Sequence, residues 1–253
     1  MTVGTSMFRS PLGLLALGLV LAGLAGLVRR GAAPPPGPTA GCAADDPACL
    51  PTDRAAPLSS AGPVVVAEEV CSDVGYLCSE VEETGRFQVR RWKGFQGTLV
   101  VHVPEPPHED RTVALGLQRA AAAGIRAWNG QPFPILVDER GTRQAHVQVE
   151  WTRSLGGTSI GRAEVRWSAG TGLEVRRLVL ATRSPFRLDR SIDRAQVRLT
   201  AAHEMGHALG LPHSDAPRDV MYPKNTAASL TTRDYRTLEA LYALDDGTVI
   251  ARR

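Results

Sequence analysis

Apolar and polar positions follow two different periods along this chain, and each change of period marks an element. Thr98-Leu99-Val100-Val101-His102-Val103 has strand composition and runs into the proline-rich turn Pro104 to Pro107. From Arg111 to Trp128 the apolar positions Val113, Leu117, Ala121, Ile125 and Trp128 recur at helical spacing, with Arg and Gln elsewhere, which predicts a first long helix. Phe133 to Val137 reads as a second strand, and Ala145 to Trp151 alternates as a half-exposed third. Ile160 to Trp167 and Leu173 to Ala181, separated by Gly170-Thr171-Gly172, predict a pair of strands. Between Asp189 and Gly210 a helical period returns, with Ala195, Leu199, Ala202, Gly206 and Leu209 as one buried stripe and His203 and His207 on the neighbouring face, towards a cleft. Thr231 or Thr232 can cap a last helix running to about Ala243, with Tyr235, Leu238 and Leu241 inward. Strands and helices in this order predict an α+β domain.

The ends of the chain read differently. Pro11 to Val28 is dominated by Leu, Ala, Gly and Val and closes on Arg29-Arg30. Its length falls between the apolar region of a signal peptide and a spanning helix, so residues 1–30 are read as a signal peptide or an N-terminal membrane anchor. Residues 31–86 form a Pro/Ala-rich linker followed by a cysteine-containing segment, 87–245 the folded domain, and 246–253 a C-terminal tail. The cysteines Cys42, Cys49, Cys71 and Cys78 all precede the domain. An even count behind an export segment favours disulfides, most simply Cys42 with Cys49 and Cys71 with Cys78, although other pairings stay open. Net charge is +3, from 29 basic and 26 acidic residues interspersed along the chain, which excludes nucleic acid as an expected partner. Only Lys93 and Lys224 are lysine among the basic residues, a usage that suits a GC-rich, bacterial genome.

The chemistry concentrates in His203-Glu204-Met205-Gly206-His207-Ala208-Leu209-Gly210-Leu211-Pro212-His213, which reads HExxHxxGxxH. Residues four apart on a helix share a face, with Cβ atoms roughly 5–6 Å apart, so His203 and His207 can reach one ion. Zinc in a catalytic site takes three protein ligands and leaves the fourth position open. His213 is the natural third ligand, and it can return to the ion only if the helix ends. Gly210 supplies the turn and Pro212 stops the helix from resuming. Glu204 follows the first ligand directly, beside the metal, where a general base for a zinc-activated water is needed. Such spacing should arise by accident in roughly one chain in 10⁴ or fewer, whereas the bare HExxH would be far weaker. His102, His108 and His146 have no partners spaced to join them and are read as solvated or satisfied side chains.

These residues resemble the metzincin zinc metallopeptidases, whose signature is this motif followed by a methionine turn. Asp219-Val220-Met221-Tyr222-Pro223 supplies the methionine, and Ser214 after the third His together with Met-Tyr-Pro is similar to the matrixin branch, in a small bacterial type. The resemblance spans roughly residues 88–245 in pattern and 203–223 residue by residue. It implies a metzincin (zincin-like) fold, a mixed twisted sheet with long helices. It implies zinc on His203, His207 and His213, Glu204 as the catalytic residue, and Met221 as an apolar floor beneath the imidazoles. It also implies a substrate strand along Ile160 to Trp167, with Pro223-Lys224-Asn225 lining the pocket after the scissile bond. Ala48-Cys49-Leu50-Pro51-Thr52-Asp53 is similar in outline to the matrixin cysteine switch but lacks its Arg and Gly. No His or Asp occurs between Thr152 and Ser184, so one catalytic zinc and no structural zinc are expected, with calcium doubtful. The activity implied is that of a zinc-dependent endopeptidase, secreted or in the cell envelope, acting on protein or peptide substrates as a monomer. The alternative is a zinc-binding envelope or interaction module whose catalysis is lost or blocked.

Overall fold

The computed structural model describes residues 63–66 and 75–251. The expected export segment, most of the linker, and Cys42, Cys49 and Cys71 lie outside the described residues, as does the Cys78 side chain. Among the described residues no helix is long and apolar enough to cross a membrane.

A five-stranded sheet forms the centre. It contains β3 (Leu99–His102), β4 (Ile135–Asp138), β5 (Val147–Thr152), β6 (Gly161–Ser168) and β7 (Gly172–Ala181), in the order β4-β3-β5-β7-β6. The first four strands in that order pair in parallel, and β6 alone runs antiparallel, against β7, at the edge. β5 buries Val147 and Val149 and exposes Gln148 and Glu150, so its alternation is that of a half-covered strand. On the uncovered side Arg177 bridges Glu150 and Glu164, each at 2.8 Å, tying three strands together across the surface.

Two long helices are joined by a tryptophan. Helix α2 (Arg111–Arg126) starts on Asp110, whose side chain accepts from the N–H groups of Thr112 and Val113. Its apolar stripe buries Leu117, Ala121 and Ile125, and Trp128 just past its end is fully enclosed. Helix α3 (Arg194–Ala208) is capped in the same way by Asp193. The Trp128 indole donates to the Ala202 carbonyl on α3 at 2.8 Å. Truncating a buried aromatic of this kind costs about 3–5 kcal/mol, so Trp128 is a principal tie between the two helices.

The single buried stripe expected on the second of these helices is corrected by the structure. Ala195 is exposed and Leu199 only partly covered, whereas Val197, Ala201, Met205 and Ala208 are buried with Ala202, Gly206 and Leu209. The reason is that α3 packs against α2 on one side and against β6 and β7 on the other, so its C-terminal half is enclosed on more than one face. The helix also begins at Arg194 rather than near Asp189, because β8 (Arg183–Ser184) and β9 (Arg187–Ser191) form a hairpin ahead of it.

Residues on both sides of the stretch 87–245 join the same fold. Helix α1 (Leu77–Thr84) buries Leu77 and Val81, and Tyr76 before it is fully enclosed. β10 (Val249–Ala251) lies between β1 (Val64–Val66), in parallel, and β2 (Arg86–Gln88), antiparallel. The last helix, α4 (Thr232–Ala243), is capped by Thr231 with a reciprocal bond from Asp234, and it buries Leu238 and Leu241.

Candidate metal centre and catalytic cleft

The three histidines of the motif converge. Each offers one ring nitrogen, and these atoms lie within 4.8 Å of one another. His207 Nε2 is 3.1 Å from His203 Nε2 and 3.2 Å from His213 Nε2. His203 and His207 come from successive turns of α3, as their spacing requires. His213 arrives by the reversal at Gly210, whose φ is +101°. Leu211 N–H donates to the Gly206 carbonyl and Gly210 N–H to the His207 carbonyl, both at 3.0 Å, which is the bonding of a Schellman helix end. A Cβ at position 210 would stand 2.1 Å from the Arg90 carbonyl oxygen, so glycine is required for space as well as for backbone angle.

Backbone carbonyls decide which ring nitrogens face inward. His203 Nδ1 lies 2.8 Å from the Val220 carbonyl and His207 Nδ1 lies 2.9 Å from the Leu211 carbonyl. A carbonyl only accepts, so both Nδ1 atoms carry the proton and both Nε2 atoms present bare lone pairs. Burial holds His203 down to about 4 and His207 well below the usual histidine range, so both rings are neutral at working pH. Two bare lone pairs 3.1 Å apart repel each other unless a cation lies between them. A tetrahedral ion with nitrogens at about 2.0–2.1 Å holds them about 3.3 Å apart, so both the spacing and the donor chemistry fit zinc.

Glu204 is not one of the converging ligands. It is buried, and its carboxyl faces the backbone of edge strand β6. Burial pushes its pKa up to about 8, opposed by the Ala163 backbone and by the charge of Arg162. Gly161 makes room for it: a Cβ there would fall 2.6 Å from Glu204 Oε1 and 2.3 Å from Thr200 Cγ2. The buried acid therefore sits between the metal-binding helix and the sheet edge.

Met221 is fully buried, and its sulfur lies where a Cβ on Gly206 would come within 2.2 Å, against the helix turn between the two ligands. Ser214, next to the third histidine, donates its N–H to the Met221 carbonyl at 2.8 Å and its hydroxyl to Asp219 at 2.5 Å. Asn225 reaches Thr200 at 2.6 Å, which places the segment after the methionine turn beside the same helix face. The other histidines stand elsewhere. His146 Nδ1 accepts from Val100 N–H, His102 Nδ1 meets the Asp138 carbonyl, and His108 Nε2 meets the Ser191 hydroxyl.

No local pattern in the sequence marks Gly161, Ala163, Asp219, Val220 or Asp234 as supports of the site. The one available signal is Asp219, an aspartate between the third histidine and Met221. The contacts from β6 had none, since some forty positions separate Gly161 from Glu204 along the chain.

Residues 130–243 match the matrixin family, peptidase M10, a stretch that holds the histidines, Glu204 and the methionine turn. The chain is 32% identical over 143 residues to a protein described as matrilysin from Felis catus, covering 54% of this chain and 46% of that one. It thus spans less than half the length of this curated relative.

Proposed function

We propose that this chain is a matrixin-type zinc endopeptidase that hydrolyses peptide bonds of extracellular or cell-envelope proteins. The observation that carries the reading is the pair of bare Nε2 atoms at 3.1 Å, each oriented by a carbonyl on its other nitrogen, with a third at 3.2 Å and a buried acid on the same helix. His203, His207 and His213 would hold the ion, and Glu204 is the catalytic acid-base residue.

Zinc, when bound, supplies a Lewis acid at an open fourth position, acidifying a water and polarising the scissile carbonyl. With a cation held by the histidines, Glu204 would stay a carboxylate despite the burial that raises its pKa, able to accept a proton from water. Glu204 then delivers that proton to the nitrogen of the leaving amine.

The peptide lies extended along β6, which has a strand neighbour on one side only among the described residues. A substrate strand added there passes directly over Gly161 and Glu204. Pro223, Lys224 and Asn225 line the pocket after the scissile bond, a placement supported by the Asn225–Thr200 contact. The apolar stretch Pro11 to Val28 supports export from the cytoplasm.

Casein hydrolysis by the purified protein, with and without a chelator, tests the reading. Cleavage lost on chelation and restored by zinc is expected, and Glu204→Ala should lose about 10²–10⁴-fold in kcat/KM while retaining one zinc per chain. Full activity in that variant removes the mechanism, and a chain that takes up no zinc removes the site.

A further inference from the structure

The carbonyl that orients His203 belongs to a residue whose backbone N–H has its own chain of support. His203 Nδ1 donates to Val220 O at 2.8 Å, and Val220 N–H donates to Asp234 Oδ2 at 3.2 Å. Oδ2 of Asp234 also receives Thr231 N–H at 2.7 Å, while its Oδ1 receives the Tyr76 hydroxyl at 3.2 Å. Asp234, Asp219 and Tyr76 are fully buried. A buried carboxylate needs every donor it can reach, because desolvation without compensation is costly.

The two carboxylates share one donor. The Thr231 hydroxyl lies 2.9 Å from Asp219 Oδ1 and 2.9 Å from Asp234 Oδ2, yet it has one proton to give. Arg233 serves Asp219 at 2.6 Å and Asp215 at 2.6 Å. The Tyr76 hydroxyl is aimed at the other oxygen of Asp234. Burial, and after it the charge of Asp234, holds the Tyr76 hydroxyl well above the usual phenol range, so it stays a donor.

Tyr76 is itself set against α4 by several contacts. Its N–H donates to Thr237 Oγ1 at 3.2 Å, and Gly75 O accepts from Arg233 at 3.2 Å. The Arg233 guanidinium lies 5.4 Å from the centre of the Tyr76 ring. Gly75 lies so close to α4 that a Cβ would fall 1.8 Å from Thr237 Oγ1. Both residues precede the matrixin-matched stretch, which begins at residue 130.

We propose that Tyr76 is a positioning residue for the metal site, holding the backbone of Val220 through Asp234, so that the carbonyl on the other side of its Cα keeps His203 in its metal-binding tautomer. The inference rests on the zinc-peptidase reading for the use of that site. Its consequence is that a segment remote in sequence sets the affinity of the histidines for the ion.

Chelator competition on the full chain measures zinc affinity in the wild type, Tyr76→Phe, Thr237→Val, Asp234→Asn, the Tyr76→Phe/Asp234→Asn double variant and Val81→Ala. Val81 is buried on α1 but takes no part in the bonding, so it reports loss of packing alone. Groups bonded to a metal ligand typically change affinity 10–100-fold, and Tyr76 acts further out, so a loss of about tenfold is expected for Tyr76→Phe. Thr237→Val should move affinity in the same direction. The double variant should bind zinc no more weakly than Asp234→Asn, as a single chain of bonds requires. Val81→Ala should lower the Tm and leave zinc affinity unchanged. Unchanged affinity in Tyr76→Phe, or an equal loss in Val81→Ala, overturns the proposal while leaving the peptidase reading intact. A wild type that binds no zinc overturns both.

Discussion

Glu204 shows how one residue takes its chemistry from neighbours that are distant in sequence. Its place next to His203 puts it beside the three converging histidines, but the room its carboxyl occupies exists because position 161 has no side chain. Gly161→Ala would push a methyl against Oε1 and against Thr200, and the base would have to move. Misplacing a catalytic group by about 1 Å can cost about 10²-fold, so kcat should fall by that order while zinc content holds at one per chain. Steady-state kinetics with metal analysis checks this, and an unchanged kcat means the carboxyl is not held where the structure has it. The pairing of each inward Nε2 with a carbonyl on the opposite nitrogen is likewise a residue-scale device, fixing the tautomer before any ion arrives.

Individual elements are joined by their ends. Thr231 caps α4, and its hydroxyl also lies within reach of both Asp219 and Asp234. Thr231→Ala should cost about 1–2 kcal/mol, at the upper end for a cap, read as a lower denaturant midpoint at unchanged m-value. A cost near zero would mean that the cap does not couple the helix to the turn. Ahead of α2, Glu109 pairs with Arg183 at the base of the β8–β9 hairpin. The hydrogen bond from Arg183 lowers the Glu109 carboxyl to about 2 from its ordinary 4.5. A depressed acid contributes stability that is complete above the unfolded value and is lost as pH falls through the folded one. The contribution should therefore fade between about pH 4.5 and 2. Glu109→Gln should flatten that part of the stability curve, and an identical acid limb in the two proteins would refute the pairing. Most of Glu109 is exposed, so the effect is small and screened by salt.

Among the described residues, strands from opposite ends of the folded part of the chain close on one another. β10 fills the gap between β1 and β2 and buries Val249 and Ile250. Ending the chain at Asp246 would expose that site, and at about 1.5–3 kcal/mol per buried side chain the loss should reach about 3 kcal/mol or more. Thermal melting of the shortened protein checks this, with a Tm equal to that of the full chain as the contrary result. The helices and strands that surround the site are legible from local signals: the period of α2 from Val113 to Trp128, the alternation of β5, and a cap at Thr231 or Thr232, of which the structure uses Thr231. The stripe on α3 was misread because a helix enclosed on two sides has no single apolar face to find, and Ala195 at its exposed start fitted the spacing by chance.

By itself the sequence determined the converging histidines, the acid beside the first of them and the glycine that ends their helix. All of these depend on positions within eleven residues, where helical geometry converts spacing directly into direction. Only the tertiary structure decided that β6 would lie at the sheet edge over Glu204, and that Val220 and Leu211 would orient the rings. It also decided that Tyr76 and β10 would reach back into the same body. Those contacts join residues tens of positions apart, and no local period encodes which distant backbone group will satisfy a buried donor or acceptor.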